Sequence, residues 1–152
     1  MDRIDKLLLE HLQRDASLSL QQISELTHLS PTPCWRRVQR LEQAGYIERR
    51  VALLSAAKLN VGVTVFVSIR TSQHSDQWTR ALCDVVAGIA EIVEFYRMSG
   101  NTDYLLRVVV PDVRGYDAVY KRLVSSLDFA DISSSFAMEQ IKYTTALPLD
   151  YA

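Results

Sequence analysis

Three arginines within two helical turns are the residues of this chain best suited to chemistry. Arg36, Arg37 and Arg40 lie in the stretch SPTPCWRRVQRLEQAGYI, residues 30–47. An arginine guanidinium is a planar fork that donates two parallel bonds to guanine O6 and N7, or clamps a phosphate. The chemistry expected here is recognition of nucleic acid, not bond making. Arg36 and Arg40 are read as groove residues, with Thr32 and Trp35 near the base edges. Arg37 goes to a phosphate or to an intramolecular pair.

These side chains need a helix to carry them. Ser30 and Pro31 make a start signal and Gly45 a stop. Cys34, Val38 and Leu41 share one face, while Arg36, Arg40 and Gln43 share a roughly opposite one. Just upstream, Ser19 and Gln22 form an S-x-x-Q capping box for a second short helix. Ile23 and Leu26 should face inward there, with Leu29 closing the turn. Ser19 is then a cap whose helix start can also lie on a phosphate. Two short helices joined by a tight turn, the second rich in arginine, are the geometry of a helix-turn-helix. A first helix begins at Asp2 or Asp5, with Ile4, Leu7, Leu8 and Leu12 on one face. Arg49 and Arg50 follow the arginine helix in a segment, 46–54, that reads as a short strand and connection. They are either a backbone-contacting wing or two exposed arginines beside a boundary.

After Lys58 the period changes. Val63, Val65, Val67 and Ile69 alternate with Thr64, Phe66, Ser68 and Arg70, as in a strand. A helix over 75/76–87 carries Trp78, Leu82, Val85 and Val86 and ends at Gly88. Residues 89–99 form a strand, 100–102 a turn, and 103–110 a third strand. Pro111-Asp112 starts a helix with Val113, Tyr116, Val119, Tyr120, Leu123 and Val124 toward the sheet, and 132–144 is the last strand. This is the β-α-β-β-α-β, ferredoxin-like order. The domain expectation is 1–54 for DNA binding, 55–62 as connection and 63–152 for the second domain.

Bulk properties agree without deciding. The 152 residues carry a net charge of −1 and are 48 % hydrophobic. Residues 1–60 hold 9 Lys and Arg against 7 Asp and Glu, while residues 61–152 hold 8 against 11. Nucleic-acid binding must therefore rest on clustering. Two cysteines far apart, Cys34 and Cys83, suit free thiols in a reducing compartment. The start MDRIDKLLLEHLQRD lacks a signal-peptide core. A soluble, cytoplasmic, nucleoid-associated protein with no membrane partner is expected. His11, His28 and His74 are scattered, so no metal site, cofactor or catalytic constellation is legible, and no enzyme is expected.

Three segments, LSPTPCWRRVQRLEQAGYI (29–47), SGNTDYLLRV (99–108) and SSFAMEQIKYTTALPL (134–149), resemble the Lrp/AsnC family of transcription regulators. The likeness covers almost the whole chain, and FYRMSGNTDYLLRV and FAMEQIKYTT are most similar to a cysteine-responsive branch. It implies an α+β protein: an N-terminal winged helix-turn-helix domain, then a ferredoxin-like βαββαβ domain for effector binding and oligomerisation. It implies DNA-binding roles for Ser19, Ser30, Thr32, Trp35, Arg36, Arg37, Arg40 and Arg49. It also implies an amino-acid effector near Met98, Gly100, Asn101, Asp103 and Ser135. Asp103 would accept from the ligand ammonium, and the bare backbone at Gly100 could approach the ligand closely. A tight hairpin turn explains the same Gly and Asn without a ligand. Of Ser133, Ser134 and Ser135, alternation sends Ser134 to the opposite face. The expected partners are double-stranded DNA and further copies of the chain, as a dimer, tetramer or octamer. The other reading kept open is an architectural protein that wraps DNA with little effector control.

Overall fold

The structure is a computed structural model that describes residues 1–152. It divides into two compact units, Met1–Leu53 with Ile141–Ala152, and Leu54–Gln140.

The first unit is built on three helices, α1 (Arg3–Leu12), α2 (Leu20–Thr27) and α3 (Pro31–Gln43). Reciprocal capping boxes start two of them: Asp2 with Asp5 on α1, and Ser19 with Gln22 on α2. Each box satisfies two N–H groups that the helix itself leaves open. Helix α3 ends in a Schellman turn. The Gly45 N–H bonds the Glu42 carbonyl at 3.0 Å and the Tyr46 N–H bonds that of Leu41 at 3.0 Å. Gly45 sits at φ +78°, which only a residue without Cβ adopts at no cost. The core is Leu8, Leu9, Leu12, Ile23, Cys34, Val38 and Leu41. Burying each of its leucines favours folding by about 1.5–3 kcal/mol.

Two inward residues differ from expectation. Leu26 is exposed, and Ser24 and Thr27 are buried in its place. Their hydroxyls bond back to the carbonyls of Leu20 and Ile23 at 2.6 and 2.7 Å. Small residues that satisfy their own hydroxyls can line a close helix contact, so the inward face of α2 runs along 23, 24 and 27. On α1, Leu9 joins the buried face and Leu7 is only half-buried.

No strand forms over 46–54. A strand needs a hydrogen-bonded neighbour, and this segment has none. Val51, Leu53 and Leu54 stand exposed along it.

The second unit is a four-stranded antiparallel sheet in the order β2-β3-β1-β4: β1 (Val63–Arg70), β2 (Ile92–Arg97), β3 (Tyr104–Val110) and β4 (Asp131–Phe136). Helices α4 (Asp76–Ala87) and α5 (Val113–Ser126) pack on the sheet through Trp78, Leu82 and Val86, and through Tyr116, Val119 and Leu123. The register pairs Val65 with Val108 and Val67 with Leu106, so inward residues meet across the ladder. Val113, Tyr120 and Val124, expected to face the sheet, are exposed; the buried stripe of α5 is narrower than its apolar one. Strand β2 starts three residues later than expected, because Ile89 is used to close the turn after α4. Strand β4 stops at Phe136 rather than 144. Phe136 already pairs with Val65, and β1 begins at Val63, so the ladder has run out of partner.

Beyond β4 the chain departs from the expected boundary. Residues 141–152 belong to the first unit, where Leu149 packs on the helical core. Sequence continuity had assigned them to the second.

Candidate DNA-reading helix and ligand loop

The start of α3 is unusually open. Ser30 is its N-cap, yet its hydroxyl makes no capping bond. Pro31 and Pro33 have no N–H to offer, and the first helical bond runs from Cys34 N–H to the Ser30 carbonyl at 3.2 Å. The Thr32 N–H, the Thr32 hydroxyl and the Ser30 hydroxyl are therefore left at an exposed helix N-terminus, a setting that favours a phosphate oxygen. Trp35 and Arg36 follow, both exposed. Arg36 has no ion-pair partner in the chain, and its fork is free for a base edge or a phosphate.

The next two arginines are not free. Arg37 Nη1 donates to Asp2 at 2.6 Å and to Asp5 at 2.8 Å. Arg40 Nη2 donates to both oxygens of Asp5, at 2.8 and 2.7 Å. Of the two uses expected for Arg37, the structure shows the intramolecular pair. For Arg40, expected in the groove beside Arg36, it shows a carboxylate partner that the sequence reading lacked. Hydrogen bonds to Asp2 and Asp5 raise the Arg37 pKa, and the same contact pulls that of Asp2 down to about 2. Asp5 is 2 % exposed, a buried carboxylate that its two arginines compensate. The sequence signalled Asp5 only as a helix cap; a partner 35 residues away leaves no local trace.

Ser19 is exposed and accepts from Gln22 N–H at 3.2 Å, as its capping role requires. Of the arginine pair after α3, Arg50 bonds Glu42 at 2.8 Å, while Arg49 is exposed and unpaired.

In the second unit the loop between β2 and β3 turns on Gly100 at φ +106°. A Cβ there would meet nothing within 4 Å, so it is the backbone angle and not crowding that calls for glycine. Met98 and Asn101 are exposed on this loop. Asp103 is half-buried and heavily used. Its Oδ2 accepts the Thr71 N–H at 2.8 Å, its own N–H donates to the Ile69 carbonyl at 2.9 Å, and its carbonyl accepts the Met98 N–H at 2.8 Å. Asp103 thus ties the loop to the end of β1, and only Oδ1 remains for another partner. Ser135 is exposed, on the sheet face opposite Ser134, whose hydroxyl bonds Tyr116. Burial raises the Tyr116 pKa above its ordinary value. Met98, Gly100, Asn101 and Asp103 form one loop; Ser135 stands on a different strand. No three His, Cys, Asp or Glu side chains gather as a metal-binding group.

A capped three-helix module with an open arginine-bearing helix, joined to a βαββαβ sheet domain, defines a class: a helix-turn-helix DNA-binding protein with a separate ferredoxin-like domain. Comparison with known proteins narrows it. Residues 1–48 match the model of a winged helix-turn-helix DNA-binding domain and residues 64–147 that of the Lrp/AsnC ligand binding domain. The chain is 49 % identical over 151 residues to the DNA-binding transcriptional activator DecR of Escherichia coli, covering 99 % of each. A crystal structure of an AsnC family transcriptional regulator from Agrobacterium tumefaciens is 57 % identical, superposes with a TM-score of 0.96, and is covered to 99 % on both sides. The L-Met complex of the Neisseria meningitidis regulator NMB0573 is 32 % identical with a TM-score of 0.94, covering 99 % of this chain and 98 % of that one. The chain belongs to the Lrp/AsnC family of transcriptional regulators, with an N-terminal winged helix-turn-helix DNA-binding domain followed by the family's ligand binding domain.

Proposed function

We propose that this regulator reads its operator with the first two turns of α3 and senses an amino acid at the loop around Gly100. The observation that carries the DNA half is the open helix start, where Ser30, Thr32 and Arg36 have exposed groups without partners in the chain. Arg36 contacts base edges. Ser30, Thr32 and Ser19 contact phosphate, Trp35 packs beside the groove, and Arg49 reaches the backbone.

The effector half rests on the open loop of Met98, Gly100 and Asn101 and on the unpartnered Oδ1 of Asp103. A free amino acid needs an acceptor for its ammonium, and Asp103 Oδ1 supplies one, with Ser135 adding a hydroxyl. Cysteine or a related amino acid is the proposed ligand. The sequence likeness to a cysteine-responsive branch supports it, and so does the L-Met held by the Neisseria regulator, which shows a sulfur side chain accommodated on this fold.

The regulator acts in the cytoplasm, on nucleoid DNA, as a homo-oligomer of dimers. Exposed Val51, Leu53, Leu54, Met138, Ile141 and Tyr143 support assembly, since large apolar side chains left in water favour a partner chain. Assembly places two copies of α3 on successive major grooves. The effector changes that assembly to the extent that it binds one arrangement better than another.

A thermal-shift screen of the twenty amino acids tests the effector half, because a ligand of the folded state raises its apparent stability. A rise with cysteine or methionine that also changes operator affinity is the expected result. A blank screen together with sequence-independent DNA compaction would replace this reading with the architectural one.

A further inference from the structure

The acidic partners of Arg37 and Arg40 stand out because they neutralise the helix that should need its charge most. Asp5 is almost completely buried at the start of α1, and all its bonds come from a fixed set of donors. These are the Asp2 N–H at 3.1 Å, Arg37 Nη1 at 2.8 Å and Arg40 Nη2 at 2.7 Å. The geometry resembles an arginine clamp on a phosphate, with a carboxylate in the phosphate's place. Capping alone does not require this. Asp2 already accepts the Asp5 N–H at 2.9 Å, and Asp5 needs one oxygen to answer Asp2.

We infer that Asp5 is a specificity-determining residue of the DNA-binding domain, acting as an internal stand-in for phosphate. It withholds Arg40 by itself and Arg37 together with Asp2, and leaves Arg36 as the free arginine of α3. A helix presenting three free arginines would grip any duplex, since phosphate attraction is independent of sequence. Removing two of them from that competition lowers non-specific affinity, whereas a base-reading bond from Arg36 is kept. The burial of Asp5 makes the arrangement durable: the carboxylate cannot move to water to release its partners without exposing a buried charge's empty site. This inference rests on the reading of α3 as the groove helix.

The test is the salt dependence of binding by the full-length protein. The probes are a duplex selected in vitro with the unmodified protein and a random duplex of equal length. Each freed arginine that reaches a phosphate steepens the plot of log affinity against log salt by about 0.9. Asp5→Asn keeps an oxygen for the Asp2 N–H but removes the charge. Arg37 keeps its bond to Asp2, so the slope should steepen by about 0.9, for Arg40 alone, and affinity should rise more for the random duplex than for the selected one. Arg40→Gln, at an exposed position, should leave both slopes unchanged. A folded Asp5→Asn protein with an unaltered slope overturns the inference. So does Arg40→Gln that flattens the slope, because Arg40 would then already touch phosphate. If Asp5→Asn does not fold, Arg40→Gln and Arg37→Gln decide alone by the same criterion. Failure of the unmodified protein to prefer any selected duplex would instead strike the reading of α3 itself.

Discussion

The side-chain amide of Gln13 makes both halves of a strand-like bridge with the backbone of Leu147: Nε2 donates to the carbonyl at 3.1 Å and Oε1 accepts the N–H at 2.9 Å. A glutamine one residue past α1 thus serves as the pairing partner for a segment 134 residues away. The C-terminal tail, with Leu149 packed on the helical core, belongs to the same compact unit as α1, α2 and α3.

Gln13→Ala should cost roughly 1–2 kcal/mol, two modest exposed hydrogen bonds. Deleting residues 141–152 should cost more, since it also uncovers the core beneath Leu149. Urea unfolding followed by the fluorescence of Trp35, in a Trp78→Phe background, reads the first unit selectively. An unchanged midpoint in the truncated protein would show that the tail is a passenger.

The tail also marks where sequence reasoning ran out. Helix starts were legible because caps are local: Asp2, Ser19, Ser75 and Asp112 each accept from an N–H three residues on. The strands β1 and β3 were legible because burial on one face imposes a period of two. The ends of elements were not. The stop of β4 at Phe136 depends on where β1 begins, and the missing strand over 46–54 depends on a neighbour that one chain does not provide. Leu26, Val113, Tyr120 and Val124 were misplaced for a related reason: an apolar residue beside a helix stripe is buried only if another element reaches it. At the site, exposure of Arg36 followed from helix spacing, but the ion pairs of Arg37 and Arg40 needed the fold.

The turn between α2 and α3 holds a strained residue. His28 caps α2 in the left-handed region at φ 55°, ψ 33°. Such a conformation costs a residue with a Cβ about 1 kcal/mol or more relative to glycine. His28→Gly should therefore be neutral or stabilising by up to about 1 kcal/mol, and His28→Val clearly destabilising, since a β-branched side chain tolerates positive φ worst. Thermal unfolding of the two variants checks the order; a destabilised glycine variant would mean that the imidazole makes a contact of its own.

The two thiols should separate cleanly. Cys34 is fully buried on the inward face of α3, and Cys83 is exposed on α4. A thiol reagent in excess should modify one thiol per chain promptly and the second only on unfolding. DNA binding should survive the first modification. Prompt reaction of both thiols would show that the first unit opens readily.

Acid sensitivity follows from Asp2. Its hydrogen bond from Arg37 and the backbone bond from Asp5 hold its pKa at about 2, below the ordinary 3.8. A carboxylate with a lowered folded pKa stabilises the protein above its unfolded value. That contribution is lost as pH falls from about 4 through about 2. Asp2→Asn should flatten the stability profile across this window and leave its shape near neutrality unchanged. Chemical denaturation at pH 2.5, 4 and 7 measures it. An Asp2→Asn protein that loses as much stability between pH 4 and pH 2.5 as the unmodified one would remove Asp2 from the account.

The two oxygens of Asp103 allow its structural and ligand roles to be separated. Oδ2 holds the Thr71 N–H at 2.8 Å, and Thr71 is buried. Asp103→Ala leaves that N–H without its partner and should destabilise the second unit by about 1–3 kcal/mol. Asp103→Asn keeps a carbonyl oxygen for Thr71 but has no charge to offer an ammonium, and should fold with nearly full stability. If Oδ1 is the acceptor for the effector, the asparagine variant loses the ligand-dependent rise in melting temperature. Its operator affinity without ligand stays near that of the unmodified protein, because coupling requires binding at one site to differ between states while α3 belongs to another unit. Melting curves with and without cysteine and methionine, beside operator titrations of the same samples, separate the outcomes. An asparagine variant that folds and responds in full makes Asp103 a latch only and moves the ammonium site elsewhere, with Ser135 the next residue to test.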